Sequence, residues 1–269
     1  MSDISEEQQL REFLELNEYR FYYYMPDSEV LQNEIGYFIK NKAIETYSYV
    51  SPTHRGDVDF EDFLTFAYSF FNGGKEYFIV KVFYNETFRK NSKILRQRNF
   101  ISYPVDTSLM TWSSEKKDKL VLDRNLELEL LTQDEVGRWI DVFFDSFSYP
   151  YYLKKYITSM VNEQYKHGIN FYVGKISKKD VSCFCTIQYQ NFIGFYGVGT
   201  KTRFRRQGYA TKMMSNYIND ILSKSPNIRF CLQAQNNSGA EQLYLNLGFE
   251  IPFRQKRFDW DPSTRNPYL

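Results

Sequence analysis

Apolar residues along this chain recur with two different periods, and the places where one period gives way to the other mark its elements. Behind Ser5-Glu6-Glu7, the residues Leu10, Phe13 and Leu14 stand at helical spacing and predict a helix over 3–17. Residues 27–45, opened by Pro26-Asp27-Ser28, read as a second helix. The segment from Phe60 to Phe71 fits a helix closed by Gly73-Gly74, or the first arm of a hairpin turning at Asn72-Gly73. Tyr77 to Tyr84 reads as a strand, 86–98 as a helix, and 100–104 and 109–113 as short strands. The polar run Ser113–Lys119 then reads as a linker, with a solvated hairpin loop as the alternative.

The second half is patterned more cleanly. A strand over 126–131 is followed by the helix start Thr132-Gln133-Asp134-Glu135 and helices over 134–147 and 150–166. Strands follow near 170–176, 181–189 and 192–200, the last two apolar enough to be central. A helix over 208–223, a strand over 228–234, a helix over 238–247 and a strand near 253–260 complete the order. The expected class is α/β with a mixed sheet, not the strict alternation of a doubly wound parallel fold.

A chain of 269 residues holds one large domain or two ordinary ones, and the reading taken is two lobes, 1–118 and 119–269. With 34 Lys plus Arg against 33 Asp plus Glu, the net charge is +1, so no global field draws the protein to nucleic acid or an anionic membrane. No window reaches the roughly 18 uninterrupted apolar residues of a membrane-spanning helix. The acidic start Met1–Glu7 lacks the apolar stretch of a signal peptide, and a cytoplasmic location is expected. Cys183 and Cys185 are two apart on one strand, a poor disulfide geometry. With His54 and His167 the only histidines, a zinc site is not expected either. The outlying figure is 23 Tyr, 24 Phe and 3 Trp, which pack a core, fill an interface between the lobes or line an acceptor site there.

The segment carrying chemistry is Gly199-Thr200-Lys201-Thr202-Arg203-Phe204-Arg205-Arg206-Gln207-Gly208-Tyr209-Ala210-Thr211, which joins an apolar strand to a helix. Such a junction presents unpaired amides at the positive end of a helix dipole. Gly208 lets an anion approach the backbone, Ala210 keeps the first turn narrow, and Arg205, Arg206 and Thr211 add charge and a hydroxyl. A phosphate or pyrophosphate fits. No Gly-Lys-Ser/Thr and no G-x-G-x-x-G is present, so this is neither a Walker loop nor a dinucleotide fingerprint.

Arg205-x-x-Gly208-x-Ala210 after a strand resembles the R/Q-x-x-G-x-G/A signature of the GNAT superfamily of acyl-CoA-dependent N-acyltransferases. The second half of that pattern follows in Asn237-x-x-Ala240-x-x-Leu243-Tyr244-x-x-x-Gly248-Phe249. The resemblance covers roughly 126–260. It implies that the amides of Gln207, Gly208, Tyr209, Ala210 and Thr211 hold the pyrophosphate of coenzyme A, with Arg205 and Arg206 beside them. It also implies that the strand ending at Val198-Gly199-Thr200 splays from the one at 228–234 and admits the pantetheine arm, which Asn237 contacts. Tyr244 stands where members often carry the acid that protonates the leaving thiolate, and a phenol of pKa ~10 matches that thiolate in basicity. The implied reaction is direct acyl transfer to an amine, with a strand amide polarising the thioester carbonyl. Acetyl-CoA is the expected co-substrate, without a metal. The family often places a Glu on the strand before the turn, and Phe192–Gly199 has no carboxylate. Tyr189, Tyr196 and Asp145 are the candidate bases, or the amine arrives neutral.

The sequence also matches itself weakly at a shift of 149–150. Val50-x-Pro52-x-x-Arg55-x-x-Val58 falls on Thr200-x-Thr202-x-x-Arg205-x-x-Gly208, Ile94-Leu95 on Leu243-Tyr244, and Asn99-Phe100 on Gly248-Phe249. Trp112 and Trp260 match after one inserted residue. This favours helix over hairpin for 60–71 and a degenerate first copy of the fold. Val58 replaces the glycine and Phe60 the small residue, and Asp57, Asp59, Glu61 and Asp62 would repel a pyrophosphate there, so the first lobe is not expected to bind coenzyme A. The arrangement resembles two-lobed members such as glycine N-acyltransferases. The expected acceptor is a small-molecule amine, with a peptide lysine or N-terminus next; a non-catalytic acyl-CoA sensor or scaffold is the rival. A nucleic-acid module is disfavoured for want of a stacking motif, no membrane partner is expected, and the oligomeric state is left open.

Overall fold

The computed structural model describes residues 6–53 and 58–264. By their contacts, the residues divide into two compact units. Unit 1 runs to Leu109 and takes in Gln233–Asn236 and the chain from Ile251 on; unit 2 holds Met110–Leu232 and Asn237–Glu250.

Unit 1 begins with α1 (Glu6–Tyr23), then β1 (Ser28–Gln32), β2 (Gly36–Asn41) and β3 (Tyr49–Pro52). It continues with α2 (Phe60–Phe70), β4 (Phe78–Phe83), α3 (Phe88–Gln97), β5 (Ile101–Ser102) and the start of β6 (Thr107–Trp112). The helix expected over 27–45 is instead the β1–β2 hairpin and its return. Asn33 Oδ1 accepts from the amides of Ile35 at 2.9 Å and Gly36 at 3.1 Å, an Asx turn that bends the chain where a helix would run straight. A Cβ on Gly36 would lie 2.5 Å from the Ser51 carbonyl oxygen, so the neighbouring strand also dictates that glycine. Residues 60–70 resolve to helix, with the Asp59 carboxylate accepting from the Glu61 amide at 2.7 Å.

Unit 2 carries β7 (Glu127–Leu130), α4 (Val136–Phe147), α5 (Lys154–Lys166), β8 (Asn170–Ile176), β9 (Lys179–Tyr189) and β10 (Phe192–Thr200). After these come α6 (Tyr209–Lys224), β11 (Arg229–Gln235) and α7 (Gly239–Asn246). Thr132 and Glu135 form the capping box expected ahead of α4. The last strand, β12 (Glu250–Trp260), pairs antiparallel with β4, from Gln255 opposite Phe83 to Trp260 opposite Phe78. That pairing explains why the chain beyond Ile251 groups with unit 1. The division at 109/110 lies inside β6, where Leu109 and Met110 are both fully buried, so composition offers no mark of it.

Each unit contains the same succession. An antiparallel pair (β2–β3, β9–β10) is followed by a crossover helix (α2, α6), a parallel neighbour (β4, β11) and a second helix (α3, α7). The second helices stop in the same way. Asn99 and Gly248 both have positive φ, +64° and +96°. The next residue's amide returns to the carbonyl five back, Phe100 to Leu95 at 3.0 Å and Phe249 to Tyr244 at 2.9 Å. These are the pairs that the internal sequence match aligns; its Arg55 and Asp57 lie outside the described residues.

The aromatic surplus fills cores. In unit 1, Phe71 stacks on Phe78 at 4.6 Å, and Trp260 meets Tyr68 edge-on at 4.8 Å while its indole donates to the Gly74 carbonyl. In unit 2, Phe195 stacks on Phe230, and Tyr217 packs edge-on against Phe184. No helix among the described residues is long and apolar enough to cross a membrane.

Gly248 combines positive φ with crowding, since a Cβ there would stand 3.0 Å from that of Lys116. Gly248→Ala is expected to cost about 1–2 kcal/mol in urea unfolding, whereas Asn99→Gly should be nearly neutral. A second test concerns Glu129, whose carboxyl is held down at about 2 by Arg138 and then Lys175, 2.9 and 3.0 Å away. Its folded pKa lies below the usual 4.5, so its contribution is complete above that pH and is lost as the pH falls through 2. The stability gap between wild type and Glu129→Gln should therefore be wider at pH 7 than at pH 2.

Candidate active site

Strand β10 is irregular where chemistry is expected. It pairs with β9 through Tyr196 opposite Cys185, then resumes at Gly199 opposite Cys183. Gly197 and Val198 thus face the single residue Phe184, a bulge in which Gly197 takes φ +59°. Helix α4 lies directly beneath. A Cβ on Gly197 would come 2.8 Å from the Trp139 ring, which stacks on Phe143 at 4.6 Å. One on Gly199 would come 2.7 Å from Ser146. On its other side, β10 pairs parallel with β11 over only three positions, ending at Gly194 opposite Cys231, although β10 continues to Thr200. The parallel pairing stops three residues before the bulge.

From there the chain enters the glycine turn. A single 3-10 turn, Thr202–Phe204, is tied to the end of α4. The Thr202 amide donates to Asp145 Oδ1 at 2.5 Å and its hydroxyl to the Asp145 carbonyl at 3.3 Å, while the Arg205 guanidinium donates to the carbonyls of Thr200 and Ser146. Arg206 and Gly208 then adopt positive φ, +61° and +76°. Gly208 is the N-cap of the 16-residue α6 and supplies no side chain to close it. The backbone amides of Arg206 through Thr211 donate to no acceptor among the described residues. The space over Gly208 is open, the nearest heavy atom to a Cβ there being Lys212 Cε at 4.0 Å. Six free donors at a helix N-terminus, with the exposed Arg206 alongside, suit an anion of pyrophosphate size. The matching start of α2 is capped by its own Asp59.

The structure therefore gathers Val198, Gly199, Thr200, Arg206, Gln207, Gly208, Tyr209, Ala210 and Thr211 into one continuous strand–turn–helix. Arg205, exposed, belongs to it as a strut, its guanidinium tied to the carbonyls of Thr200 and Ser146. Asn237, exposed and at φ +59°, precedes α7; its amide donates to Glu241 at 2.8 Å. Tyr244 is 7% exposed, packs against Phe249 and has no hydroxyl partner among the described residues. Burial pushes its phenol up, so it stays protonated. Of the candidate bases, Asp145 is engaged by the turn. Tyr189 pairs with Phe192 at the start of β10, five residues and roughly 16 Å of strand before Gly197. Tyr196 sits at the bulge itself. Sequence reasoning did not find the roles of Trp139, Ser146 and Asp145, whose only signal is a helix ending one strand-length from the motif.

A family model described as FR47-like protein matches residues 172–258. Among solved structures, a GCN5-related N-acetyltransferase from Kribbella flavida is similar at TM-score 0.65 and 12% identity, over 93% of this chain and 95% of that one. A tandem GNAT protein from the clavulanic acid biosynthesis pathway is similar at TM-score 0.65 and 10% identity, over 87% and 83%. A GCN5-related N-acetyltransferase from Sphaerobacter thermophilus gives TM-score 0.61 and 12% identity, over 96% and 85%. No curated protein matches. The chain has the GNAT fold. Its FR47-like segment lies in the second half, and the arrangement is that of tandem lobes.

The tie between α4 and the turn has a measurable consequence. Asp145→Ala should speed hydrogen exchange at the Thr202 amide and lower stability by about 1–2 kcal/mol, leaving the far end of β10 unchanged.

Proposed function

We propose that unit 2 transfers an acyl group, with acetyl as the expected one, from a coenzyme A thioester to a primary amine. The observation that carries this reading is the row of six unengaged amides at the start of α6, placed directly after a bulged strand that has parted from its parallel neighbour. Arg206 through Thr211 bind the pyrophosphate. The thioester lies along the separated stretch of β10, where a bulge amide polarises its carbonyl as charge develops on the oxygen. The amine attacks that carbon, and Tyr244, protonated and with no hydroxyl partner among the described residues, delivers its proton to the departing thiolate. With no free carboxylate on β10, the amine enters neutral or loses its proton to water held near Tyr196. A small-molecule amine is the proposed acceptor, ahead of a peptide, because the near-neutral chain offers no field for a charged polymer. The pyrophosphate role is confined to unit 2, since Asp59 and its acidic neighbours close the start of α2.

Calorimetry tests the cofactor step. Acetyl-CoA should bind the wild type, and Gly208→Glu, which puts a carboxylate over the turn at a left-handed position, should abolish binding without unfolding the protein. Absence of binding to the wild type would end the reading. Tyr244→Phe should bind acetyl-CoA normally yet lose roughly 10²-fold in thiol release with an amine acceptor. Binding without turnover for any amine would make the protein a sensor.

A further inference from the structure

Unit 1 holds a polar chamber beside α1. The strand pairing sets it up: Arg257 stands opposite Lys81 in the β12–β4 ladder, and side chains alternate along a strand, so Gln255 shares their face of the sheet. That face, with Tyr49 of β3 and Glu18 and Tyr22 of α1, lines a cavity of about 180 Å³. Every lining residue belongs to unit 1. The wall runs from the exposed Thr46 inward to Gln255, which is 2% exposed. The cavity meets β3 at its first residue, whereas the start of α2 lies beyond the other end of that strand.

The charges lining this cavity are already balanced. Glu18 pairs with Lys81, whose ammonium lies 3.8 Å from the centre of the Tyr49 ring. Arg257 holds Asp259 through Nε at 2.5 Å and Nη2 at 3.0 Å, and Lys256 holds Asp106 at 2.8 Å. A charged guest would upset that balance in a desolvated space, so the fitting ligand is neutral. Gln255 is in a different position. Its Oε1 and Nε2 are both buried, and neither has a hydrogen-bond partner among the described residues. Amides left unpaired inside a native protein are costly and rare. An acceptor and a donor side by side in one plane complement a group with an N–H beside a C=O or ring nitrogen, as when glutamine reads a base edge. Tyr22, Tyr47 and Tyr49 add aromatic surface suited to a flat ring. A cavity of about 150 Å³ takes one benzene, so this one takes a single substituted ring.

We infer that unit 1 binds a small neutral heterocycle through an amide or lactam edge, with Gln255 as the residue that reads that edge. Such a site is independent of acyl transfer in unit 2, and no bond is made or broken in it. Pyrimidine lactams and aromatic carboxamides share the required edge.

Saturation-transfer NMR on the full chain tests this with uracil, nicotinamide and glucose as probes. Uracil or nicotinamide should bind, and the tighter of the two identifies the source of the edge. Its N-methylated counterpart, 1,3-dimethyluracil or N,N-dimethylnicotinamide, keeps ring and carbonyl without the N–H and should bind at least about tenfold more weakly. Gln255→Met, of similar length and apolar, should weaken the same ring by at least about tenfold. Its urea midpoint should be no lower than that of the wild type, because the lost amide leaves no protein group unpaired. Binding of neither ring, which leaves the cavity to water, overturns the proposal. So does glucose bound more tightly than both, a methylated ring bound equally well, or unchanged binding to Gln255→Met. A Gln255→Met chain that fails to fold would show the amide bonded within the protein, and that also counts against it.

Discussion

The close approach of α4 to β10 is the constraint on which the candidate site depends. A helix that leaves no room for a Cβ at Gly197 or Gly199 fixes both the strand's irregularity and the reach of its own last turn. Because Trp139 fills the space under Gly197, the backbone there adopts a conformation that only glycine takes readily. Because Asp145 and Ser146 end the same helix, they can hold the Thr202–Arg205 turn by side chain and carbonyl. One packing contact thus sets the bulge and the entrance to α6 together.

The two units show how one succession of elements can differ at a single helix start. The two units share an antiparallel pair, a crossover helix, a parallel neighbour and a helix ending in a left-handed residue. They differ at the start of the crossover helix. Unit 2 leaves six amides free; unit 1 closes the equivalent end with Asp59 and follows it with Phe60, whose ring is buried in the core. Capping satisfies the helix and removes its capacity for an anion in one step. The stop signals at Asn99 and Gly248 carry no chemistry, and they remain alike.

Much of this was legible in the sequence. The strand and helix order after residue 126 could be read because Thr132–Glu135, Gly208 and Gly248 punctuate clear periods, and the open start of α6 because an uncapped helix start needs a glycine and little else. The 27–45 segment misled because Pro26-Asp27-Ser28 is a sound helix start, while the decisive event is a side-chain turn at Asn33 whose effect depends on the hairpin it closes. Long-range partners were beyond reach. Arg205 carries the motif, yet its guanidinium bonds the carbonyls of Thr200 and Ser146, and nothing local to residues 183–185 says that their thiols face a bulge.

The pairing of β12 with β4 also governs how the chain is made. The indole of Trp260 bonds to the carbonyl of Gly74, 186 residues earlier. At a synthesis rate of roughly 5–20 residues per second, about 10–40 seconds separate the two on the ribosome. Through that interval β4 lacks its antiparallel partner, and Phe78 and Phe100 lack the indole that covers them. The unit translated first is therefore the one completed last.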